Sequence, residues 1–312
     1  MKLALSTSCF AGLDSGPDQM IGLLDDLCIR HVEIEYRINA AQFHSLVFEL
    51  KRAGVNVTSL HNYCPFPALI PGRAPSGDYF RLSSPDREER SLAVQWTTRT
   101  LEQAHELEAG VVVLHTGAVD MPVDRDLIEW MVSNRTEHPE KFNQWRTQQL
   151  DHREQSRGPI LDSLLLCLDR LIPIAEKYGI RLGIENRYHL HELPSLEEMH
   201  TILLEFRGAP VGYWHDAGHA HMLELLGIYD TGQWLSQLGE SLCGIHLHDA
   251  VGSSDHLPPG DGEIDFTSLT PFVKTEIPLV MELAPGTDSA GITRGAAAAK
   301  SLFDLPSAND ED

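Results

Sequence analysis

Apolar and polar positions along this chain switch between two periods, and the switching predicts its elements. Met1 to Ser8 reads as a buried first strand, and Pro17 to Cys28 spaces Met20, Leu23, Leu24 and Leu27 as one face of a helix. His31 to Arg37 alternates, with Val32, Ile34 and Tyr36 opposite Glu33 and Glu35. Ala40 to Ala53 returns to helical spacing and Gly54 closes it. Val55 to Tyr63 is a third strand and Ser91 to Leu107 a third helix. Gly110 to Gly117 (GVVVLHTG) is a continuous apolar run, as in a parallel strand buried on both faces. An apolar helix over Ile160 to Tyr178, capped by Gly179, leads to strands at Ile180 to His189, Val211 to His219, Cys243 to Ala250 and Pro278 to Gly286. Helices at Leu196 to Phe206, Thr231 to Leu238 and Phe266 to Val273 separate them, and Ile292 to Leu302 forms the last.

Eight strands alternating with helices at intervals of roughly 30 residues predict an α/β fold, the (β/α)8 TIM barrel. Two stretches, read as insertions after strands three and four, break the interval. Residues 64–88, rich in Pro and Gly, read either as a lid or as a plain surface loop. Residues 119–157, charged and carrying Trp130 and Trp145, read as helical, covering the barrel mouth or making a homo-oligomer contact. A single domain over 1–305 is expected, followed by an acidic, disordered tail at 306–312.

Composition narrows the function. With 42% hydrophobic residues in 312 there is material for a full core, and no apolar run approaches the roughly 18 residues of a membrane span. The N-terminus holds one Lys and too short an apolar segment for a signal peptide, so a cytoplasmic location without membrane contact is expected. Five scattered cysteines with no CxxC pair suggest neither a disulfide framework nor a thiolate zinc site. A formal net charge of −22 opposes nucleic acid as a partner and favours a small, weakly charged or neutral substrate.

Candidate chemistry collects where strands stop. The ends of strands three to eight carry His61, His115, Glu185, Asp216 with His219, His246 with His248, and Glu282. In a (β/α)8 barrel these ends share one bowl. Glu185, Asp216, one of His246 and His248, and Glu282 would make a carboxylate-rich N/O site for a divalent cation, with Mn, Mg, Co, Fe and Zn all compatible. His61, His115 and His256 either bind further cations or hydrogen-bond substrate. His189, His191 and His221 are expected behind the site or in solvent, and Glu33 and Glu35 on the scaffold or rim. The Gly-rich loops PPGDGEIDF and APGTDSAGITRG could receive a phosphate on backbone N–H groups, although such loops are mostly turns.

The motifs LHNYCPFP, VVLHTG, LGIENRY, GYWHDAGHAH, GIHLHDA with DHLPPGDGEIDF, and VMELAPG resemble the xylose isomerase-like superfamily over nearly the whole chain. That group contains sugar and sugar phosphate isomerases and epimerases, hydroxypyruvate isomerases, inosose dehydratases and the endonuclease IV enzymes. The resemblance implies one divalent metal on Glu185, Asp216, His246 and Glu282, with His219 touching a substrate oxygen. The ligand histidine differs between members; His246 is favoured over His248, which is then placed at the substrate. The endonuclease's additional zinc positions have counterparts in His61, His115, His219 and His256. Its Asp-x-His spacing is absent, because Ser254 stands at the Asp position and Asp255 directly precedes His256. The run from His256 to Gly262 is closer to isomerase-type members.

These readings lead to an isomerase or epimerase of a carbohydrate, moving a proton next to a carbonyl through an enediolate. Glu185 and Glu282 are the expected bases and His219 the group that orients or protonates oxygen. His61, His115, Arg187, His248 and His256 are expected around the substrate. The alternatives are a multi-zinc phosphoesterase of the endonuclease IV type, or a metal-dependent dehydratase of a keto-sugar or cyclitol.

Overall fold

The computed structural model describes residues 2–11, 16–273 and 276–305. The acidic tail at 306–312 lies outside the described residues. In chain order the elements are β1 (Lys2–Ser6), α1 (Pro17–Asp26), β2 (His31–Ile34), α2 (Ala40–Ala53), β3 (Asn56–His61), α3 (Arg87–Glu106) and β4 (Val111–Leu114). Helices α4 (Arg125–Ser133), α5 (Pro139–Ser156) and α6 (Ile160–Tyr178) precede β5 (Arg181–Glu185). Then come α7 (Leu196–Glu205), β6 (Val211–Asp216), α8 (Ala217–Leu225), α9 (Thr231–Leu238) and β7 (Leu242–Leu247). A hairpin of β8 (Asp249–Val251) and β9 (Ser254–Leu257), then β10 (Pro278–Met281) and α10 (Ser289–Leu302), complete the chain.

The strands β1-β10-β7-β6-β5-β4-β3-β2 close a barrel of parallel pairs, which is the (β/α)8 architecture expected. Local chemistry starts and stops its helices. Asn39 and Gln42 form a reciprocal capping box on α2, and Gly54 ends that helix at φ 68°, a conformation costly for any residue with a Cβ. Asp86 caps α3, which starts four residues before the expected Ser91. Asp216 caps α8, so the sixth strand stops there and the following AGHAHMLEL, partly read as strand, is helix. The helix expected over Phe266 to Val273 is a 3₁₀ turn at Phe266–Leu269, consistent with Pro271 barring its continuation. No regular element lies between β3 and α3, and residues 119–157 contain α4 and α5. Among the described residues no helix is long and apolar enough to cross a membrane.

Most of the hydrophobic core lies between barrel and helices, while Ala4, Val111, Val113, Trp214, Cys243 and Val280 form a separate cluster. Trp214 is fully buried and plugs the barrel beneath the strand ends. Its indole occupies space left by Gly183 and Gly244, since a Cβ at Gly244 would overlap the ring. Interiors packed to crystal density leave no slack there. Gly244→Ala is therefore expected to destabilise the protein by about 1–3 kcal/mol, read as a lower midpoint in urea unfolding.

Candidate functional site

The strand ends above Trp214 carry the ionisable residues. His246, fully buried, stands at their centre. Its Nδ1 lies 2.8 Å from Glu185 Oε1, 3.0 Å from Glu282 Oε2 and 3.6 Å from Asp216 Oδ2. Its Nε2 faces Glu33, at 3.1 and 3.2 Å from the two oxygens. Glu185, Asp216, His246 and Glu282 thus offer ligand-type atoms that all lie within 4.8 Å of one another.

His248, at the opposite end of the HLH motif, is placed differently. Its Nδ1 accepts the His256 backbone N–H at 2.9 Å, so Nε2 carries the proton and donates to Asp216 Oδ1 at 3.0 Å. Both nitrogens are engaged and the ring lies buried against that of His256, centroids 4.1 Å apart. The expectation that His248 meets substrate thus finds its ring beneath His256, supporting Asp216. His219 sits in the first turn of α8, where Asp216 Oδ1 accepts its backbone N–H at 2.7 Å. Its Nδ1 donates to the Asn186 carbonyl at 2.9 Å, leaving Nε2 for another partner.

On the other flank His115 Nε2 lies 2.8 Å and His61 Nε2 3.5 Å from Glu185 Oε2. Asp78, from the Pro/Gly-rich stretch, reaches in beside them, 3.4 Å from His115 Nδ1 and 3.3 Å from Arg187 Nη2. Gly77 lets that stretch lie against the imidazoles, because a Cβ there would run into both rings. Arg187 Nη2 also bonds Glu192 at 2.8 Å, while its Nε and Nη1 are buried without a hydrogen-bond partner. Tyr36, Asp78, His115, Arg187, His189 and His256 help to line a cavity of about 740 Å³ above the cluster.

The Asp of HLHD is not part of the cluster. Asp249 accepts backbone N–H groups from Ala250, Gly260, Gly262 and Ile264 at 2.9–3.0 Å, which holds the PPGDG loop against the barrel. The hairpin of β8 and β9 carries Asp255 and His256 back over the strand ends. Asp255 Oδ1 lies 3.0 Å from His256 Nδ1, and His219, Asp255 and His256 form a further group with ligand-type atoms within 4.8 Å. The altered spacing at Ser254 therefore does not remove the carboxylate from this side of the site. His61, His115 and Glu185 make a third such group.

The electrostatics call for positive charge. Burial opposes ionisation of Glu185, yet His246 and His115 hold its carboxyl well below the usual range. Asp216 is likewise held well down against burial, by His219 and His248. Burial also disfavours a charged His246, but Glu282, Glu33 and Glu185 push it well above the usual imidazole range. Three carboxylates and an imidazole with one shared focus are an N/O donor set that fits a hard or borderline divalent cation.

Several contributors escaped the sequence reading. Glu33, expected on the scaffold or rim, is fully buried inside the barrel under His246. Its signal was a carboxylate on the face of β2 opposite Val32 and Ile34. Glu35 is also buried, and burial raises its carboxyl to about 7 despite the Arg37 guanidinium 3.0 Å away. Asp78 and Glu192 had no local signal. His191 stacks on His189 at 5.3 Å, and His221 lies 3.4 Å from Glu263. Cys9, Cys64, Cys167 and Cys243 are buried and Cys28 is exposed, all unpaired.

A closed parallel (β/α)8 barrel with a carboxylate–imidazole cluster on its carboxyl-terminal rim is the class that fold and site define. The family described as Xylose isomerase-like TIM barrel matches residues 29–294, and the chain belongs to it. An uncharacterised protein of Methanocaldococcus jannaschii is 26% identical over 204 residues, covering 64% of this chain and 58% of that protein's length. The solved structure of a D-tagatose 3-epimerase-like protein is similar at TM-score 0.68 and 19% identity, covering 97% of each chain. D-psicose 3-epimerase from Clostridium cellulolyticum H10, solved with D-tagatose, is similar at TM-score 0.66 and 15% identity, covering 97% of this chain and 98% of that one. At these identities the likeness is one of fold.

One lining residue makes stability depend on pH. Burial pushes His189 down to about 4, against the pull of Glu192, whereas an unfolded imidazole titrates near 6.5. Between those values the unfolded chain binds the proton first, so this contribution is full above about pH 7 and is lost as pH falls toward 4. His189→Gln should remove about 2–3 kcal/mol of the pH-dependent loss, read as the difference between urea midpoints at pH 7 and pH 4.5 in parent and variant.

Proposed function

We propose that this protein is a divalent-cation-dependent isomerase or epimerase of a sugar or sugar phosphate, transferring a proton at the carbon next to a carbonyl. The observation that carries the reading is the convergence of Glu185 and Glu282, both buried, on His246 Nδ1 at 2.8 and 3.0 Å. Glu185, Asp216, His246 and Glu282 would hold the cation. When bound, it supplies Lewis-acid stabilisation of the negative charge that develops on oxygen in an enediolate.

The chain's own residues do the rest. Glu185 is backed by His115 and Glu282 lies toward His256, 3.9 Å from its Nε2, so a substrate between them meets a carboxylate on each side. One carboxylate removes the α-proton. For epimerisation the other returns a proton to the opposite face; for isomerisation the first returns it to the neighbouring carbon. His219 Nε2 orients or protonates an oxygen, and Arg187, in the cavity lining, fixes the distal end of the substrate. The sugar epimerases among the solved structures of similar fold support the substrate class.

A second reading is a phosphoesterase with two or three cations. The observation favouring it is that His61, His115 and Glu185, and His219, Asp255 and His256, form ligand groups beside the first. A formal net charge of −22 weighs against a nucleic-acid substrate.

Incubation with ketopentoses and ketohexoses in D2O, after loading with Mn²⁺ or Co²⁺, should place deuterium at the carbon next to the carbonyl. Glu185→Gln and Glu282→Gln should each slow this by about 10²–10⁴-fold. No exchange with any cation would sink the proposal. Native mass spectrometry separates the readings: one cation per chain accords with the isomerase, and two or three with phosphodiester cleavage would favour the hydrolase.

A further inference from the structure

We infer that Glu33 is a positioning residue whose carboxylate, bonded to His246 Nε2, orients the ring so that Nδ1 is the nitrogen turned toward Glu185, Asp216 and Glu282, and thereby sets the affinity of the quartet for its cation. The inference rests on the reading of that quartet as a cation site.

The argument begins with the cost of Glu33. It is fully buried next to an interior otherwise filled by Ala4, Val111, Val113, Trp214 and Val280. A carboxylate in such surroundings is expensive unless its oxygens are hydrogen-bonded. Its partners are all built in. In the strand register Glu33 pairs with Ser6 on β1 and with Ser59 on β3. Both serine hydroxyls donate to it, Ser6 Oγ to Oε1 at 3.3 Å and Ser59 Oγ to Oε2 at 2.8 Å. The pairing with Ser59 exists because the β2–β3 register shifts between Val32 and Glu33. Irregularities of this kind re-aim side chains and gather near functional sites. The remaining capacity of both oxygens is spent on His246 Nε2.

The consequence falls on the imidazole. A neutral imidazole has one N–H, and the hydrogen bond made by one nitrogen decides which lone pair is left for a ligand. Glu185 and Glu282 lie on the Nδ1 side of the ring, at 2.8 and 3.0 Å, and Trp214 edge-on at 5.0 Å and His61 parallel at 6.0 Å restrain its plane. Glu33 accepts at Nε2, so that nitrogen keeps its proton and Nδ1 is the one that gives up its proton and offers its lone pair when a cation sits among the three carboxylates. A carboxylate behind a ligand histidine in this way both orients the ring and raises its basicity.

The test is cation affinity, measured by calorimetry with Mn²⁺ at fixed pH on the full chain, together with the visible spectrum of the Co²⁺ form. Glu33→Gln should weaken Mn²⁺ binding by about 10–100-fold and alter the Co²⁺ absorption. A merely structural role would lower the melting temperature and leave the Kd unchanged while the variant is folded. An unchanged Kd and spectrum in folded Glu33→Gln therefore overturns the inference. Should that variant fail to fold, Glu33→Asp carries the test, since it keeps the charge and withdraws the oxygens by one methylene. Weaker binding there supports the inference and unchanged binding overturns it. A parent protein that binds no Mn²⁺ overturns the cation site and the inference together. A parent that binds Mn²⁺ and variants that bind it equally well overturn the inference alone, and proton transfer stands or falls by deuterium exchange.

Discussion

Three carboxylates, those of Glu185, Asp216 and Glu282, gather around one nitrogen of His246 where water is largely excluded, and the barrel mouth is built under that constraint. Like charges so placed repel strongly unless a positive charge lies among them. The surrounding chain supplies partial answers. Imidazoles of His115 and His61 face Glu185, His248 donates to Asp216, and Arg187 approaches Glu185 at 3.7 Å while already shared between Asp78 and Glu192. His61, His248 and Arg187 are themselves hydrogen-bonded to the Asn62 carbonyl, the His256 backbone and Glu192, so the geometry is held from behind rather than at the focus.

The same constraint explains features that would otherwise look unrelated. Asp249 spends a buried carboxylate on four backbone N–H groups, which anchors the loop that follows the β8–β9 hairpin. That hairpin seats His256 over His248, and the His256 backbone in turn sets the tautomer of His248. Beneath, Trp214 closes the barrel and forms a floor for His246, with glycines on β5 and β7 yielding the space. The chain from hairpin to histidine to Asp216 is continuous, as is the chain from Ser59 through Glu33 to His246. The arrangement at the barrel mouth therefore depends on the residues behind the cluster as much as on the cluster itself.

Much of this was legible in the chain. Short alternating or continuous apolar runs between helical segments marked all eight barrel strands, and the residues at their ends drew attention to Glu185, Asp216, His246 and Glu282, which the fold does bring together. The misplacements were local contests between signals. The run after Asp216 reads as a strand by its neighbours, but an Asp at that position also caps a helix, and the helix won. Phe266 to Val273 has helical spacing, yet with Pro271 in its path the observed element is a single 3₁₀ turn.

What the sequence by itself determined is the barrel, the strand-end positions and the donor chemistry, because periodicity and residue type are properties of short segments. What only the tertiary structure decided is which atoms meet. The contrast between His246 and His248 arises from neighbours on other strands and on the hairpin. The burial of Glu33 against Ser6 and Ser59 arises from a register shift, and the arrival of Asp78 and Asp255 arises from loops folding back over the rim. These are contacts between residues far apart in the chain, fixed by barrel closure and strand register, and no local pattern encodes them.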